Sequence, residues 1–264
     1  MDYVINLVSV VVVLAFLGYG SWSDIKTREV SNTLWLLFAP TGAALTVARL
    51  YIFPELLWIS LGSIIVATSF ALLLFYTGIF GGADAKGLIC IGMSTPALPE
   101  DMLLSAHFFH PFFPVVVLSN SFLVAVSMAL YILGRNLFWK YSTNGSLFLG
   151  LEREPAWKKA FALFSAYKAD FSKAEGKIYL YPLEAVVESG GAIQRKLNLF
   201  VEAEVERQDL IGKLRPYVEK AVIPREIWVT PGLPMLVFVA IGFVSALVLG
   251  DLIFSIIYAF ISIF

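Results

Sequence analysis

Long apolar runs, broken by short polar clusters, fill the first half of the chain. About 20 apolar residues make a helix long enough to cross a bilayer. By that measure a first span is predicted over roughly Tyr3–Trp22, a second over Thr33–Phe53, a third over Leu56–Phe80 and a fifth over Pro114–Leu133. The fourth run, Ala85–Leu98, is short and carries Gly87 and Gly92; a re-entrant or interfacial piece fits it equally well. The two glycines would ease close helix packing. The last run, Leu233–Phe264, is longer than a minimal span and is expected to tilt or to begin as a stalk.

Between the fifth and last runs the pattern changes. "EPAWKKAFALFSAY" places Trp157, Phe161, Phe164 and Tyr167 at helical spacing and predicts an amphipathic helix. "KIYLYPLEAVV" and "KLNLFVEAEV" read as strands, with Leu197, Leu199 and Val201 alternating against Lys196 and Asn198, and "ESGGA" as the turn between them. "VERQDLIGKLRPYVEKA" reads as a further helix. The fold class expected is a mainly α-helical polytopic membrane protein: six transmembrane helices with a small α+β cytoplasmic domain between helices 5 and 6. The boundaries are residues 1–134 for the first five helices, 135–230 for the soluble domain and 231–264 for the sixth helix.

Composition agrees. The 264 residues are 59% hydrophobic and only 15% charged, against about 25% charged in soluble domains. Residues 135–228 nevertheless hold 15 of the 19 Lys and Arg and 12 of the 20 Asp and Glu. A single cysteine, Cys90, excludes an intrachain disulfide and a multi-cysteine metal cluster and reads as a packed core thiol. His107 and His110 lie beside Pro111 and Pro114 in an aromatic loop, so no metal site and no cofactor are expected. Asp2 stands where a cleavable signal peptide carries basic residues, so none is expected.

Cytoplasmic loops carry an excess of Lys and Arg. Lys26, Arg28, Lys86, Arg135 and Lys140 fall on one side of a six-span arrangement; Arg49 alone falls on the other, with Asp2, Glu55, Glu100 and Asp101. Both termini are then outside, and the soluble domain is cytoplasmic.

This orientation puts Asp24 and Asp84 on the same membrane face, each beside a helix end. Two carboxyl groups within a few Å share a proton, since both cannot ionise easily. Such a pair can activate water and protonate a leaving amide nitrogen. Gly81 and Gly82 beside Asp84 permit positive φ and close approach of a substrate backbone. The helix opening at Asp84 favours charge there, while the helix end at Asp24 favours the proton. The alternative is a small transporter or channel-like protein with Asp24, Asp84 and Asp251 as a proton or ion path. Such a relay needs carboxylates spread through the membrane, whereas hydrolysis needs two at one level.

"GGAD" at 81–84, with "DIKTREVSN" at 24–32, resembles the two catalytic motifs of the GxGD-type membrane aspartyl proteases, and most nearly the archaeal preflagellin and type IV prepilin peptidases. "WVTPGLP" at 228–234 resembles the approach to their last span. The resemblance implies a membrane aspartic endopeptidase that removes the short basic class III signal peptide of preflagellin or prepilin-like precursors at the cytoplasmic face. It implies Asp24 and Asp84 as the catalytic pair, with Gly81, Gly82, Ala83, Lys86 and Asn32 as substrate-side motif residues. The implied partners are the pilin-like precursors and the lipid bilayer, with no nucleic acid. Ala83 stands where the motif has its second glycine and reads as a branch marker. The N-terminal cytoplasmic domain linked to methylation in the bacterial bifunctional enzymes has no counterpart in the pattern, so no N-methyltransferase activity is expected. A basic leader would favour acidic neighbours, for which Glu29, Glu202, Glu204 and Glu206 are candidates.

Overall fold

The computed structural model describes residues 2–97, 110–189, 192–199 and 207–262. Glu100, Asp101, His107, Glu202, Glu204 and Glu206 lie outside the described residues. The chain divides into two units, residues 1–126 with 234–264, and residues 127–233. The division differs from the sequence boundaries because the second unit begins at Ser127, within the fifth helix.

In the first unit, α1 spans Asp2–Thr27, α2 Asn32–Ile52, α3 Leu57–Tyr76, α4 Gly82–Ser94 and α5 Phe113–Thr143. α1, α2, α3 and α5 are long and apolar enough to cross a membrane. α4 has 13 residues and is not among them. Their inward faces meet in one core, which includes Leu17, Phe38, Ile91, Val117 and Phe243. Gly92 lets α4 approach α3: a Cβ there would stand 2.8 Å from the Ala67 methyl. Leu36, Leu37 and Val47 point outward and are exposed, as on a surface made for acyl chains.

The far end of α4 is fixed by a polar clamp. Arg49, which the sequence reading counted as the lone basic residue on the non-cytoplasmic side, is 2% exposed. Its guanidinium donates to Asn6 Oδ1 at 3.1 Å, Ser9 Oγ at 3.1 Å and the Ser94 carbonyl at 3.3 Å. A cation buried in an apolar bundle is stable only with such partners.

In the second unit, α6 spans Ala156–Ser165, β1 Tyr167–Asp170, α7 Phe171–Gly176, β2 Leu180–Pro182, β3 Glu184–Ser189, β4 Ala192–Leu197, α8 Arg207–Glu219 and β5 Glu226–Pro231. β5 is the middle of an antiparallel sheet ordered β1-β5-β2, and β3 and β4 form a hairpin. Alternation along β5 sorts its side chains between two cores. Ile227 and Val229 pack with Phe171, Ile211 and Leu214, whereas Trp228 packs with Leu147, Ala162 and Leu197. Several expectations shift here. Tyr167 opens β1 rather than closing α6. The second strand lies earlier, at Ala192–Leu197, although Leu197 is buried and Lys196 exposed as the alternation required. α5 runs ten residues beyond its apolar stretch.

The last apolar run returns to the first unit as two helices, α9 (Met235–Leu249) and α10 (Leu252–Ile261), bent by 55°. Gly250, at φ 77, ends α9 in a conformation that side chains disfavour. Asp251 then caps α10, its Oδ1 accepting from the Phe254 N–H at 3.1 Å. Asn120 on α5 satisfies both groups freed by the break. Its Nδ2 donates to the Gly250 carbonyl at 2.8 Å, and its Oδ1 accepts from the Leu252 N–H at 3.1 Å. Asp251, the carboxylate a relay would have used, is thus committed to a helix start.

Candidate active site

The motif around Asp24 is built by the way α1 stops. Arg28 adopts φ 61, and its N–H returns to the Asp24 carbonyl at 3.0 Å, closing the helix in a left-handed turn. Ser23 Oγ and Thr27 Oγ1 both donate to the Glu29 carbonyl, at 2.8 and 3.0 Å. Ser31 then caps α2 by accepting from the Thr33 N–H. These local bonds account for Ser23, Thr27 and Ser31 in the polar string "SDIKTREVS". They leave Asp24 half-buried on the last turns of α1, with the Arg28 guanidinium inside electrostatic range.

The motif around Asp84 begins with another reversal. Thr77 ends α3, Gly78 takes φ 74, and the N–H groups of Ile79 and Phe80 both return to the Leu74 carbonyl. Buried Phe80 anchors the turn. Gly81 follows as the N-cap of α4. Having no side chain to cap with, it relies on Asp84, whose Oδ2 accepts from the Gly81 N–H at 2.9 Å. Asp84 is 8% exposed.

The reading of Gly81 and Gly82 as positive-φ positions is corrected: neither is one, and the glycine that turns the chain is Gly78. Gly81 is exposed and Gly82 half-buried; a Cβ on Gly82 would meet only Phe75, at 3.8 Å. Their smallness leaves open backbone beside Asp84 rather than permitting a strained conformation. Ala83 has ordinary helical φ and packs against the core.

The two motifs meet. The Asp24 carboxyl lies within electrostatic range of Asp84. Lys86 Nζ donates to Asn32 Oδ1 at 2.7 Å, so the last residue of the first motif and the lysine two residues beyond the second tie α2 to α4. The dipole argument that separated the aspartates does not carry over. Asp24 lies near the end of its own helix, but its carboxylate accepts from the Leu236 N–H in the first turn of α9. Each carboxylate therefore sits at the N-terminus of a helix, where anions are favoured.

Leu236 is the residue that the sequence reading missed. It is fully buried and fits between α1 and α4. A Cβ on Gly20 would stand 2.8 Å from its Cδ2, and one on Gly87 3.0 Å from its Cδ1. Gly20 precedes Asp24 by four residues and Gly87 follows Asp84 by three, so each glycine shares a helix face with its aspartate. Leu236 acts as a spacer between the carboxylate-bearing faces. The Ser21 hydroxyl donates to its carbonyl at 3.3 Å, and its N–H serves Asp24. The signal available in the sequence was the pair of glycines, each one turn from an acid.

Among the described residues, no group of three or more His, Cys, Asp or Glu could hold a metal. His110 Nδ1 accepts from the Phe112 N–H within its turn.

Comparison with known proteins matches both units. A model described as the type IV leader peptidase family matches residues 11–133, and one described as archaeal peptidase A24 C-terminus, type II, matches residues 158–252. The chain is 27% identical to the preflagellin peptidase of Methanococcus voltae over 246 residues, covering 90% of this chain and 93% of that protein. It is 22% identical to the preflagellin peptidase of Methanococcus maripaludis over 262 residues, covering 95% and 96%.

Proposed function

From the premise that this membrane chain belongs to the type IV leader peptidase family, we propose that it is an aspartic endopeptidase acting on preflagellin- or prepilin-like precursors, with Asp24 and Asp84 as its catalytic pair. The observation that carries this reading is the convergence of buried Asp84 and half-buried Asp24 at one end of the helix bundle, each carboxylate at a helix N-terminus and Asp24 within electrostatic range of Asp84.

In the proposed reaction the ionised member of the pair takes a proton from water as the water oxygen attacks the scissile carbonyl carbon. The protonated member gives its proton to the amide nitrogen, and the C–N bond breaks to a new carboxyl and a new amine. The pair ends with one proton, as it began, with its two roles exchanged. The open backbone at Gly81 and Gly82 accommodates an extended substrate beside Asp84. Lys86 and Asn32 hold α4 and α2 together at the site's edge.

The same reading places the site on the cytoplasmic face, with six crossings. Lys26, Arg28 and Lys86 cluster at the end of the bundle that holds the aspartates, and Arg49 is buried rather than offered to the opposite loop. α4 is short, but its contacts run from Asn32 near one end of α2 to Thr46 and Arg49 near the other, which supports counting it as a crossing.

The test is cleavage of a pilin-like precursor by the full chain in proteoliposomes. Asp24→Asn and Asp84→Asn keep shape and an acceptor for the Leu236 and Gly81 N–H groups but cannot exchange the proton. Each is expected to abolish cleavage. Wild-type cleavage by either variant refutes the pair.

A further inference from the structure

α6 wears its apolar side outward. Trp157, Phe161 and Phe164 share one face of the helix and are 57%, 48% and 44% exposed. The opposite face carries Ala162, which is fully buried, and Lys158, whose ammonium lies 3.2 Å from Glu154 and donates to the Leu197 carbonyl at 3.0 Å. A surface helix of a globular unit turns its apolar stripe to the core; α6 does the reverse. Clustered exposed aromatic side chains mark a surface that something covers.

The position of α6 says what covers it. Asn136 on α5 donates through Nδ2 to the Leu163 and Ala166 carbonyls, at 2.9 and 2.7 Å. Asn136 lies three residues beyond Leu133, where the apolar stretch of α5 ends. The C-terminal end of α6 is therefore fastened to a spanning helix at the depth where hydrocarbon gives way to headgroups. Amphipathic aromatic side chains collect at that depth. Helices that lie in the interface plane pair such a face with Lys on the polar side, and α6 supplies Lys158 and Lys159.

We propose that α6 is an interfacial anchor, lying in the plane of the bilayer with Trp157, Phe161 and Phe164 inserted at the headgroup–acyl boundary. The occupant of the aromatic face is lipid. This goes beyond the peptidase reading and does not rest on it, requiring only that α5 cross the membrane.

The test uses the full chain in phosphatidylcholine–phosphatidylglycerol vesicles. Nitroxide labels are placed on Trp157→Cys, Phe161→Cys and, as an aqueous reference on the exposed face of α8, Lys213→Cys. Cys90, the single native cysteine, is buried, and identically treated wild type gives the background. Power saturation compares collisions with oxygen, which partitions into lipid, and with a water-soluble nickel complex. At residues 157 and 161 oxygen collisions should exceed nickel collisions several-fold, with the reverse at 213. A nickel-accessible label at either aromatic site overturns the proposal. So does shielding that appears only when a precursor is added, which would make the face a substrate-docking surface. Because both replaced side chains are exposed, their loss leaves the packed side of α6 intact.

Discussion

Replacing Gly20 with alanine should slow cleavage far more than it loosens the fold. The new methyl would stand 2.8 Å from Leu236 Cδ2 and 3.2 Å from Leu34 Cδ2. Carbon atoms pack best at about 3.5–4.0 Å, so Leu236 must retreat by roughly 1 Å. It has little room, since its Cδ1 already abuts the space over Gly87, where a Cβ would be only 3.0 Å away. The displacement therefore passes to α1 and α4 and widens the gap between the faces that carry Asp24 and Asp84. Overpacking of this kind costs about 1–3 kcal/mol, and alanine returns up to about 1 kcal/mol of helix propensity. The net loss of about 0–2 kcal/mol should lower the melting temperature by only a few degrees. A misplacement of about 1 Å in a reacting pair, by contrast, costs on the order of 100-fold in rate. The assay pairs precursor cleavage with thermal unfolding in the same detergent for Gly20→Ala, Leu236→Ala and the double variant. Leu236→Ala alone opens a cavity costing about 2–5 kcal/mol. In the double variant the new methyl fills part of that space, so the two losses should be clearly less than additive in both readouts. The spacer argument fails if Gly20→Ala slows cleavage no more than its folded fraction falls, or if the two substitutions simply add.

Four further outcomes are expected. Lys86→Met removes the 2.7 Å bond to Asn32 and should cut the cleavage rate while shifting melting by no more than about 1 kcal/mol; an unchanged rate would show that the clasp does not support the site. Arg49→Lys should destabilise the bundle, because one ammonium cannot reproduce the spread of a guanidinium over Asn6, Ser9 and Ser94; Arg49→Ala should cost more, and a lysine variant melting like wild type would refute the clamp. Asp251→Ala should cost about 1 kcal/mol as a lost N-cap, with Asp251→Asn nearly neutral; abolished cleavage in the asparagine variant would instead point to a protonic role. In the second unit, the Ser172 hydroxyl and N–H hold the Asp170 carboxyl below its ordinary range. A depressed carboxyl stabilises above its unfolded pKa of about 3.9 and loses that contribution as pH falls through the folded value. Acid melting of the wild type should therefore be steeper than that of Asp170→Asn, and identical profiles would count against the cap.

The apolar runs of α1, α2, α3 and α5 were legible because burial in a bilayer imposes length and apolarity on the sequence directly. What escaped the sequence depends on tertiary partners. Gly250 and Asp251 split the last span, yet the break is stable only because Asn120 lies across from it, and no periodicity announces that. Arg49 reads as a charge at the outer end of its span until Asn6, Ser9 and Ser94 converge on it. In the second unit, "EIWVTP" became the central strand through pairing with segments far away in the chain, so its local signal was weak. The glycines of "GGAD" were read as positive-φ positions, which neither is. Their role is room, and the turning residue is Gly78. Leu236 was invisible because nothing in "WVTPGLPML" reveals which leucine will face two glycines on other helices.

The placement of that leucine has a consequence in time. Asp24 and Asp84 are both made as α1 and α4 emerge, but Leu236, the residue that spaces their helices, belongs to α9 and is made far later. Until that helix arrives, the growing chain carries both halves of the acid pair with nothing to fix the distance between them. A product terminated before α9 would carry both aspartates without their spacer, and on the proposed function it would be idle.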